Sequence, residues 1–456
     1  MEKYDVLVIG SGSGMIIAAN AVATGLKTAL VEFGPMGGTC LNRGCIPSKM
    51  LIYPADVIAT LRDAEKLGIE STVNRIDFKR IMDNMHELVN EDVARQTRAI
   101  QADPNIRWFK ETGEFVSDHT LKVGNETIEA NKIFIVSGAR PGIPPIKGLS
   151  ATPYITSDTV LDLTTPPRSM IIVGGGYIAS EYSHFFASIG SKVTIIQRAT
   201  RILPDEEPEI SELLRTQLQR SMGIYTNHEA IETSEQNGQK TVIAKNFADG
   251  STKTFAAETL FIATGRVSNA DILKPEKTGV DLDKKGYIKV NEYLETKKKN
   301  IWAFGDAIGK QMFKHVANFE AQVVWHNATH DHKIEMDYSV APHAVFTHPQ
   351  IASVGLKEAE AKQHFKTAIG TALFRDTAQG AAMGKIDGFV KVILEKQTGK
   401  ILGAHIIGPH ASILIQEIVN AMTTGDKTFL PIIRGMHIHP AMSEVIQNAF
   451  VNLRDA

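Results

Sequence analysis

A strand, a glycine turn, a helix and a second strand follow one another in that order twice along this chain, and the repeat constrains most of what it can fold into. The first copy runs Val6-Leu7-Val8-Ile9, Gly10-Ser11-Gly12-Ser13-Gly14, an apolar helical stretch ending at Gly25, then Thr28-Ala29-Leu30-Val31 closed by Glu32. The second runs Met170-Ile171-Ile172-Val173, Gly174-Gly175-Gly176, a helical stretch from Tyr177 to Ile189 stopped by Gly190, then Val193-Thr194-Ile195-Ile196 ending at Gln197. Glycines let the backbone turn tightly off a strand and approach a pyrophosphate, while the following helix offers unpaired N–H groups and the positive end of its dipole. Two dinucleotide sites are implied, one on Gly10, Gly12 and Gly14, the other on Gly174 and Gly176 with Tyr177 and Ile178 opening its helix. Met15 stands where the first copy should have its third glycine, and its side chain is expected to push the helix slightly off the strand. Ala179 holds that place in the second copy.

The residue closing each second strand separates the two ligands. Glu32 can accept hydrogen bonds from ribose hydroxyls and would repel a 2′-phosphate. Gln197 is neutral and is followed by Arg198 and Arg201, two guanidiniums suited to grip a phosphate. The second site is therefore expected to favour NADPH, with NADH possible.

At 456 residues the chain exceeds what one hydrophobic core can hold, so two to four domains are expected. A formal charge of −2 gives no general attraction to nucleic acid or anionic lipid. The apolar run after Met1-Glu2-Lys3 is too short for a signal peptide or a membrane span and reads as the first strand of a cytoplasmic protein.

Both cysteines, Cys40 and Cys45, lie in Gly37-Gly38-Thr39-Cys40-Leu41-Asn42-Arg43-Gly44-Cys45-Ile46-Pro47-Ser48-Lys49. A disulfide between them closes almost no loop, so it stabilises little and reduces readily, which suits exchange. Zinc would lack its usual thiolate complement, and no metal is expected. Lys49, four residues after Cys45, shares its face on a continuing helix and can stabilise a thiolate, although Pro47 makes the first turn irregular.

This segment resembles the redox-active motif of the class I flavoprotein disulfide oxidoreductases, the family of dihydrolipoamide dehydrogenase, glutathione reductase and mycothione reductase. The likeness covers nearly the whole chain, through Ser137-Gly138-Ala139-Arg140-Pro141, Ala263-Thr264-Gly265-Arg266, Ile301-Trp302-Ala303-Phe304-Gly305-Asp306, Val345-Phe346-Thr347-His348-Pro349, and His439-Pro440 with Glu444. It implies that FAD binds the first glycine unit and a nicotinamide dinucleotide the second. It implies flavin-side roles for Gly38, Thr39, Lys49, Gly113, Ser137, Gly138, Asp306 and Ala317, nucleotide-side roles for Gly265 and Arg266, and a pairing of Glu181 with Lys49. Cys45 would face the flavin and Cys40 would exchange with substrate. The family's histidine comes from a partner subunit, so His439, oriented by Glu444, implies a homodimer with a shared active site. Pro440 suits a first helical turn that would bring Glu444 back to His439. His437 receives no role, and His326, His330 and His332 read as a surface helix end, Lys297 to Lys299 as a solvated turn.

The fold expected is α/β: two Rossmann-like dinucleotide-binding domains followed by an α+β dimerisation domain. Residues 1–150 would begin the FAD domain, 151–270 form the NAD(P) domain, 271–341 complete the FAD domain, and 342–456 form the interface. The expected activity is NADPH-driven reduction of a low-molecular-weight thiol disulfide, in the service of cell redox homeostasis. The stretch His315-Val316-Ala317-Asn318 with Glu320, and Gly408-Pro409-His410-Ala411-Ser412 with Leu414-Ile415-Gln416, look closer to mycothione reductases. Ile46-Pro47-Ser48-Lys49 is at home in dihydrolipoyl dehydrogenases, which oxidise dihydrolipoamide with NAD and would bring a lipoyl domain of a multienzyme complex as partner. Mercuric reductase is disfavoured because no cysteine pair follows near Asp455-Ala456. A non-catalytic dinucleotide sensor would have no use for Cys40, Cys45 and His439.

Overall fold

The computed structural model describes residues 1–455. Its first sheet has seven strands. Six of them are β1 (Glu2–Ile9), β2 (Thr28–Val31), β3 (Ile106–Phe109), β4 (Gly113–Ser117), β5 (Thr120–Val123) and β6 (Glu126–Ile135), in the order β3-β2-β1-β6-β5-β4. The seventh, Ile301–Ala303, pairs in parallel with β6, so the central segment completes the N-terminal sheet. β2 is buried along its whole length and β1 over its last four residues, as befits parallel strands covered on both faces.

Helix α1 (Gly14–Ala23) follows β1. At Gly10, φ is +109° and a Cβ would lie 2.2 Å from the Val136 carbonyl oxygen; at Gly174, φ is +119° and a Cβ would lie 2.1 Å from that of Ala263. These glycines let the strand turn beside its neighbour. Gly12 and Gly176 meet nothing within 4 Å, leaving the space beside them open. The expected displacement of the first helix by Met15 does not occur. The close helix-to-strand contact falls instead on Gly14, whose Cβ would sit 2.8 Å from Val8 Cγ1, and Met15 is partly buried against the sheet core.

The second unit stacks parallel strands Gly223–Tyr225, Lys192–Ile196, Ser169–Val173 and Thr259–Ile262 in that order, flanked by a three-stranded antiparallel sheet over residues 228–257. Two further helices of the first unit, α2 (Gly38–Asn42) and α3 (Cys45–Asp63), carry the cysteines, and α4 (Phe78–Ala102) follows them. Helix α5 (Tyr177–Ser188) is buried from Ala179 to Ser188 because it has partners on both sides. Leu51 and Ala55 of α3, and Met82 and Met85 of α4, share one apolar core with Phe185 and Phe186 of α5. The cysteine-bearing helix thus follows the first glycine unit in sequence and packs into the second. Arg266–Ser268 pairs with Ala139–Pro141, a further tie between the units.

Residues 343–455 form a six-stranded antiparallel sheet covered by helices including Ala411–Thr423 and Glu444–Val451. Lys391 of this sheet is buried among Glu207 at 3.1 Å, Glu209 at 2.5 Å and Glu358 at 2.6 Å. Glu207 precedes the helix Pro208–Leu218, so this network fastens the C-terminal sheet to the second unit.

The two kinds of turn glycine should respond differently to substitution. Gly174→Ala is expected to cost roughly 2 to 6 kcal/mol, from left-handed strain plus overlap with a backbone carbonyl. Gly176→Ala should leave stability within about 0.5 kcal/mol, since its Cβ enters open space. Chemical denaturation of the two variants checks this, and equal losses would contradict it.

Candidate active site

The first turn is organised by Glu32. Its carboxylate accepts from the Ser11 N–H and hydroxyl, both at 2.9 Å, and from Gly34 N–H at 2.8 Å, while the Ser11 oxygen accepts from Gly37 N–H at 3.1 Å. The end of β2 thereby positions the loop that leads into the cysteine segment. Gly38, at φ +63°, rests on the turn, where a Cβ would lie 2.7 Å from Gly12 Cα. Asn42 closes the loop by donating to the Met36 and Gly38 carbonyls at 3.0 and 2.9 Å.

Cys40 lies in α2 beside Thr39 and is half-buried; Cys45 opens α3 and keeps solvent contact, and both are thiols. Their mutual hydrogen bond divides their acidities. It lowers the Cys45 pKa to about 7, with help from the Lys49 charge. The same bond, together with burial, drives Cys40 upward. Pro47 is accommodated within the first turn of α3, before the helix needs its N–H.

Lys49 projects from α3 to Glu181 on α5, with Nζ 2.8 and 3.0 Å from the carboxylate oxygens. Glu181 also accepts from Phe346 N–H at 3.0 Å, and the Phe346 ring lies 4.4 Å from the ammonium. No local spacing rule reveals a contact between residues so far apart in sequence, and Phe346 was visible in sequence only as part of a family motif. Tyr177, at the start of α5, is held up to about 12 by burial.

Several groups are set to receive a ligand. The Ser137 hydroxyl is buried without a partner, and Gly138 faces open space. Asp306 is half-buried, its nearest countercharge is Arg266 at 3.8 Å, and burial raises its pKa. Arg266 also donates to the Ala139 carbonyl, and Gly265 beside it faces open space. Ala317 is buried on the helix Lys314–Thr329 and packs toward Gly305. In the same helix Glu320 accepts from Gly305 N–H at 2.7 Å and Tyr338 hydroxyl at 2.5 Å, and burial lifts it to about 7. Gly113 opens β4, where a Cβ would meet Leu121 Cδ2 at 2.6 Å, so packing explains its small size. Open glycine turns, an unpartnered hydroxyl and unsatisfied acceptors fit a bound dinucleotide such as FAD.

In the second unit Gln197 is buried over Gly175 and donates to the Arg201 carbonyl at 3.2 Å. Arg198 is exposed, 3.8 Å from Glu229, a solvated pair of little energetic weight. Arg201 is half-buried and its Nε has no partner.

His439 meets Glu444 through Nδ1 at 2.8 Å, and Glu444 also accepts from Ala441 N–H at 3.0 Å. The expectation that Pro440 begins a helix is overturned: the helix starts at Glu444, and residues 439–441 curl over its N-terminus instead. The His439 ring is 73% exposed and meets neither cysteine of its own chain. His437 is satisfied by Glu417 at 2.9 Å. His326 sits on the last turn of its helix and His330 caps it, as expected.

Two nucleotide turns converging on a thiol pair define a two-cofactor oxidoreductase. Residues 4–323 match the family model described as pyridine nucleotide-disulphide oxidoreductase, and 341–450 match that family's dimerisation domain. The chain belongs to this family, whose members are FAD-dependent, use pyridine nucleotides and act on sulfur groups. It is 37% identical to mycothione reductase of Mycobacterium tuberculosis, with 100% of both chains covered. It is 34% identical to dihydrolipoyl dehydrogenase of Synechocystis, covering 98% of each. Among solved structures, the Cu(II) complex of the HOCl-induced flavoprotein disulfide reductase RclA of Escherichia coli superposes with a TM-score of 0.88 at 29% identity, covering 99% of each chain. No helix among the described residues is long and apolar enough to cross a membrane.

A thiolate on Cys45 beside a bound flavin should give long-wavelength charge-transfer absorbance on two-electron reduction. Because the Cys45 pKa is lowered to about 7, the thiolate and the band are present above that pH and fade below it. Cys45→Ser is expected to abolish the band. A band that survives that substitution would contradict the assignment.

Proposed function

We propose that the protein is an NADPH-dependent reductase of a low-molecular-weight thiol disulfide, working through FAD and the Cys40–Cys45 pair. The observation that carries the reading is the thiol pair itself, set beside the Lys49–Glu181 ion pair between two open glycine turns. Bound FAD supplies a two-electron relay between the nicotinamide and the disulfide. Gly10, Gly12, Gly14, Glu32, Gly38, Thr39, Ser137, Gly138, Asp306 and Ala317 would hold it; Gly174, Gly176, Tyr177, Ile178, Gly265 and Arg266 would receive the nicotinamide dinucleotide, with Arg198 and Arg201 available to a 2′-phosphate.

Cys40 gives up its proton to His439 of the second subunit as its sulfur attacks one sulfur of the substrate disulfide, forming a mixed disulfide as the substrate S–S bond breaks. His439 of the second subunit protonates the first departing thiolate. Cys45 then attacks Cys40, the second substrate thiol leaves, and the Cys40–Cys45 disulfide forms. Two electrons from NADPH return it to the dithiol. The exposure of His439, with Met436 and Ile438 at 102% and 76% beside it, supports a surface covered by the second copy. Whole-length similarity to mycothione reductase supports a small thiol disulfide as substrate.

The second reading is dihydrolipoyl dehydrogenase, favoured by Ile46-Pro47-Ser48-Lys49 and the similarity to the Synechocystis enzyme. NADPH and NADH consumption across a panel of disulfides, with lipoamide run in both directions, separates the two. Neutralising Arg198 and Arg201 together should raise KM for NADPH far more than for NADH, by roughly 1.5 to 3 kcal/mol for each charged hydrogen bond lost. Equal effects on both cofactors would refute the phosphate role.

His439→Gln should leave flavin reduction by NADPH nearly intact while slowing disulfide turnover by about 10² to 10⁴. Mixing inactive His439→Gln subunits with inactive Cys40→Ser subunits should restore activity, since each mixed dimer regains one complete site. Mixed dimers that form without recovered activity would overturn the shared-site reading.

A further inference from the structure

Phe313, the residue before the helix Lys314–Thr329, takes part in none of these steps, yet its ring touches three others from separate parts of the chain. It lies 5.9 Å from the ring of Tyr177, which opens α5 directly after the second glycine turn. It stacks on His343 at 5.5 Å with the planes 9° apart, and on His315 at 5.8 Å with the planes 18° apart. Offset stacks of this kind fix both the separation and the tilt of the rings. Phe313 packs on the apolar core of the first unit and Tyr177 on that of the second. The residue after Phe313, Lys314, donates to the Ser13 hydroxyl on the first glycine turn at 3.0 Å. Two consecutive residues thus touch the edges of both turns.

Both histidines are fixed by hydrogen bonds. His343 Nε2 donates to one oxygen of Glu206 at 2.5 Å, and Ser353, which faces His343 across the antiparallel strands, donates its hydroxyl to the other at 2.6 Å. Glu206 is buried, so its carboxylate needs both donors. His315 Nε2 donates to the carbonyl of Pro342, the residue before His343, at 2.7 Å. Glu206 is also tied back to the second turn: its N–H donates to the Leu203 carbonyl at 3.0 Å, and Leu203 N–H donates to the Gly175 carbonyl at 2.7 Å. The contacts form a closed circuit, which leaves the turn at Gly175, passes through Glu206, His343 and Phe313, and returns at Tyr177. A side chain whose neighbours are themselves locked by packing and hydrogen bonds is held closely in place. We propose that Glu206, His343 and Phe313 are positioning residues for flavin reduction: they hold the Tyr177 ring where the two dinucleotide sites adjoin, so that a bound nicotinamide is presented to the flavin in one orientation. In that step two electrons and a proton leave the dihydronicotinamide as hydride and enter the flavin, and the dinucleotide departs oxidised. The inference rests on reading the second glycine turn as the nicotinamide dinucleotide site.

The test uses the FAD-loaded enzyme with Phe313→Leu, His343→Leu and Glu206→Gln, and follows flavin reduction by stopped-flow absorbance. At saturating NADPH, or NADH if that is the better donor, Phe313→Leu and His343→Leu should each slow flavin reduction by about tenfold or more, the loss a misplaced reactant brings. Combining them should cost little beyond the larger single loss, since both act through one ring. Glu206→Gln keeps an acceptor for His343 and should stay within about threefold of wild type. The dissociation constant of the oxidised dinucleotide, read from its perturbation of the flavin spectrum, should also stay within about threefold in every variant, because orientation is lost and binding is not. The shape of that perturbation should change in the two leucine variants. Cys40 alkylation by iodoacetamide in the reduced enzyme should keep its wild-type rate, which separates a displaced nicotinamide from a loosened fold. Unchanged flavin reduction in flavin-loaded Phe313→Leu and His343→Leu would overturn the inference, as would losses that multiply in the double variant. So would loss of bound flavin, or an equal fall in nucleotide affinity and Cys40 reactivity, either of which would make the stack a support for the fold at large. A wild-type enzyme whose flavin neither NADPH nor NADH reduces would instead sink the reading of the second turn.

Discussion

Three stretches of chain, far apart in sequence, meet at the carboxylate of Glu181. Lys49 reaches it from the helix that begins at Cys45, Phe346 donates its backbone N–H from the entry to the C-terminal sheet, and Glu181 itself sits on the buried helix of the second unit. A carboxylate so nearly removed from water is tolerable only with its countercharge and hydrogen bonds in place. Removing Lys49 would leave the Glu181 carboxylate nearly buried without its countercharge, on the helix that carries Phe185 and Phe186 into the core. The ion pair therefore does more than supply a charge near the thiols. It sets the rotation of the cysteine helix relative to the second glycine turn, and the order of the surrounding site follows from that.

The thiols are differentiated by their surroundings although they are chemically identical. Their mutual interaction lowers Cys45 and raises Cys40. Cys45 begins a helix and lies within reach of the Lys49 charge, whereas Cys40 is in the short preceding helix and more enclosed. The same physics that separates their acidities separates the two tasks a dithiol must perform, facing a resident cofactor and attacking an incoming disulfide.

Local features of the sequence were legible where their physics is local. Both glycine turns, the strands that flank them, Glu32 and the cysteine segment follow from short-range steric and electrostatic rules, and the structure has them in those places. The Lys49–Glu181 pair was legible through family resemblance, because no spacing rule connects residues so far apart. Two expectations failed for instructive reasons. Met15 was expected to displace its helix, but the close contact had moved one residue earlier, to Gly14. Pro440 was expected to start a helix, yet His439 and Glu444 meet across a loop that precedes it. Ser11 showed only as a member of the glycine turn and Phe346 only as part of a family motif, and neither motif gave its partner, since each owes its place to tertiary contacts with segments remote in sequence.

Helix α3 follows the first glycine unit in sequence, yet its apolar face is a wall of the second unit's core. Cutting the chain between the two units would thus leave one fragment with an orphaned hydrophobic helix and the other with an open cavity. Neither dinucleotide-binding half is a separable module in the way their repeated motif suggests. For recombination, whether natural or engineered, the smallest exchangeable piece must include α3 together with the core that receives it, so replacing the nucleotide-binding unit alone would also remodel the seating of the cysteines.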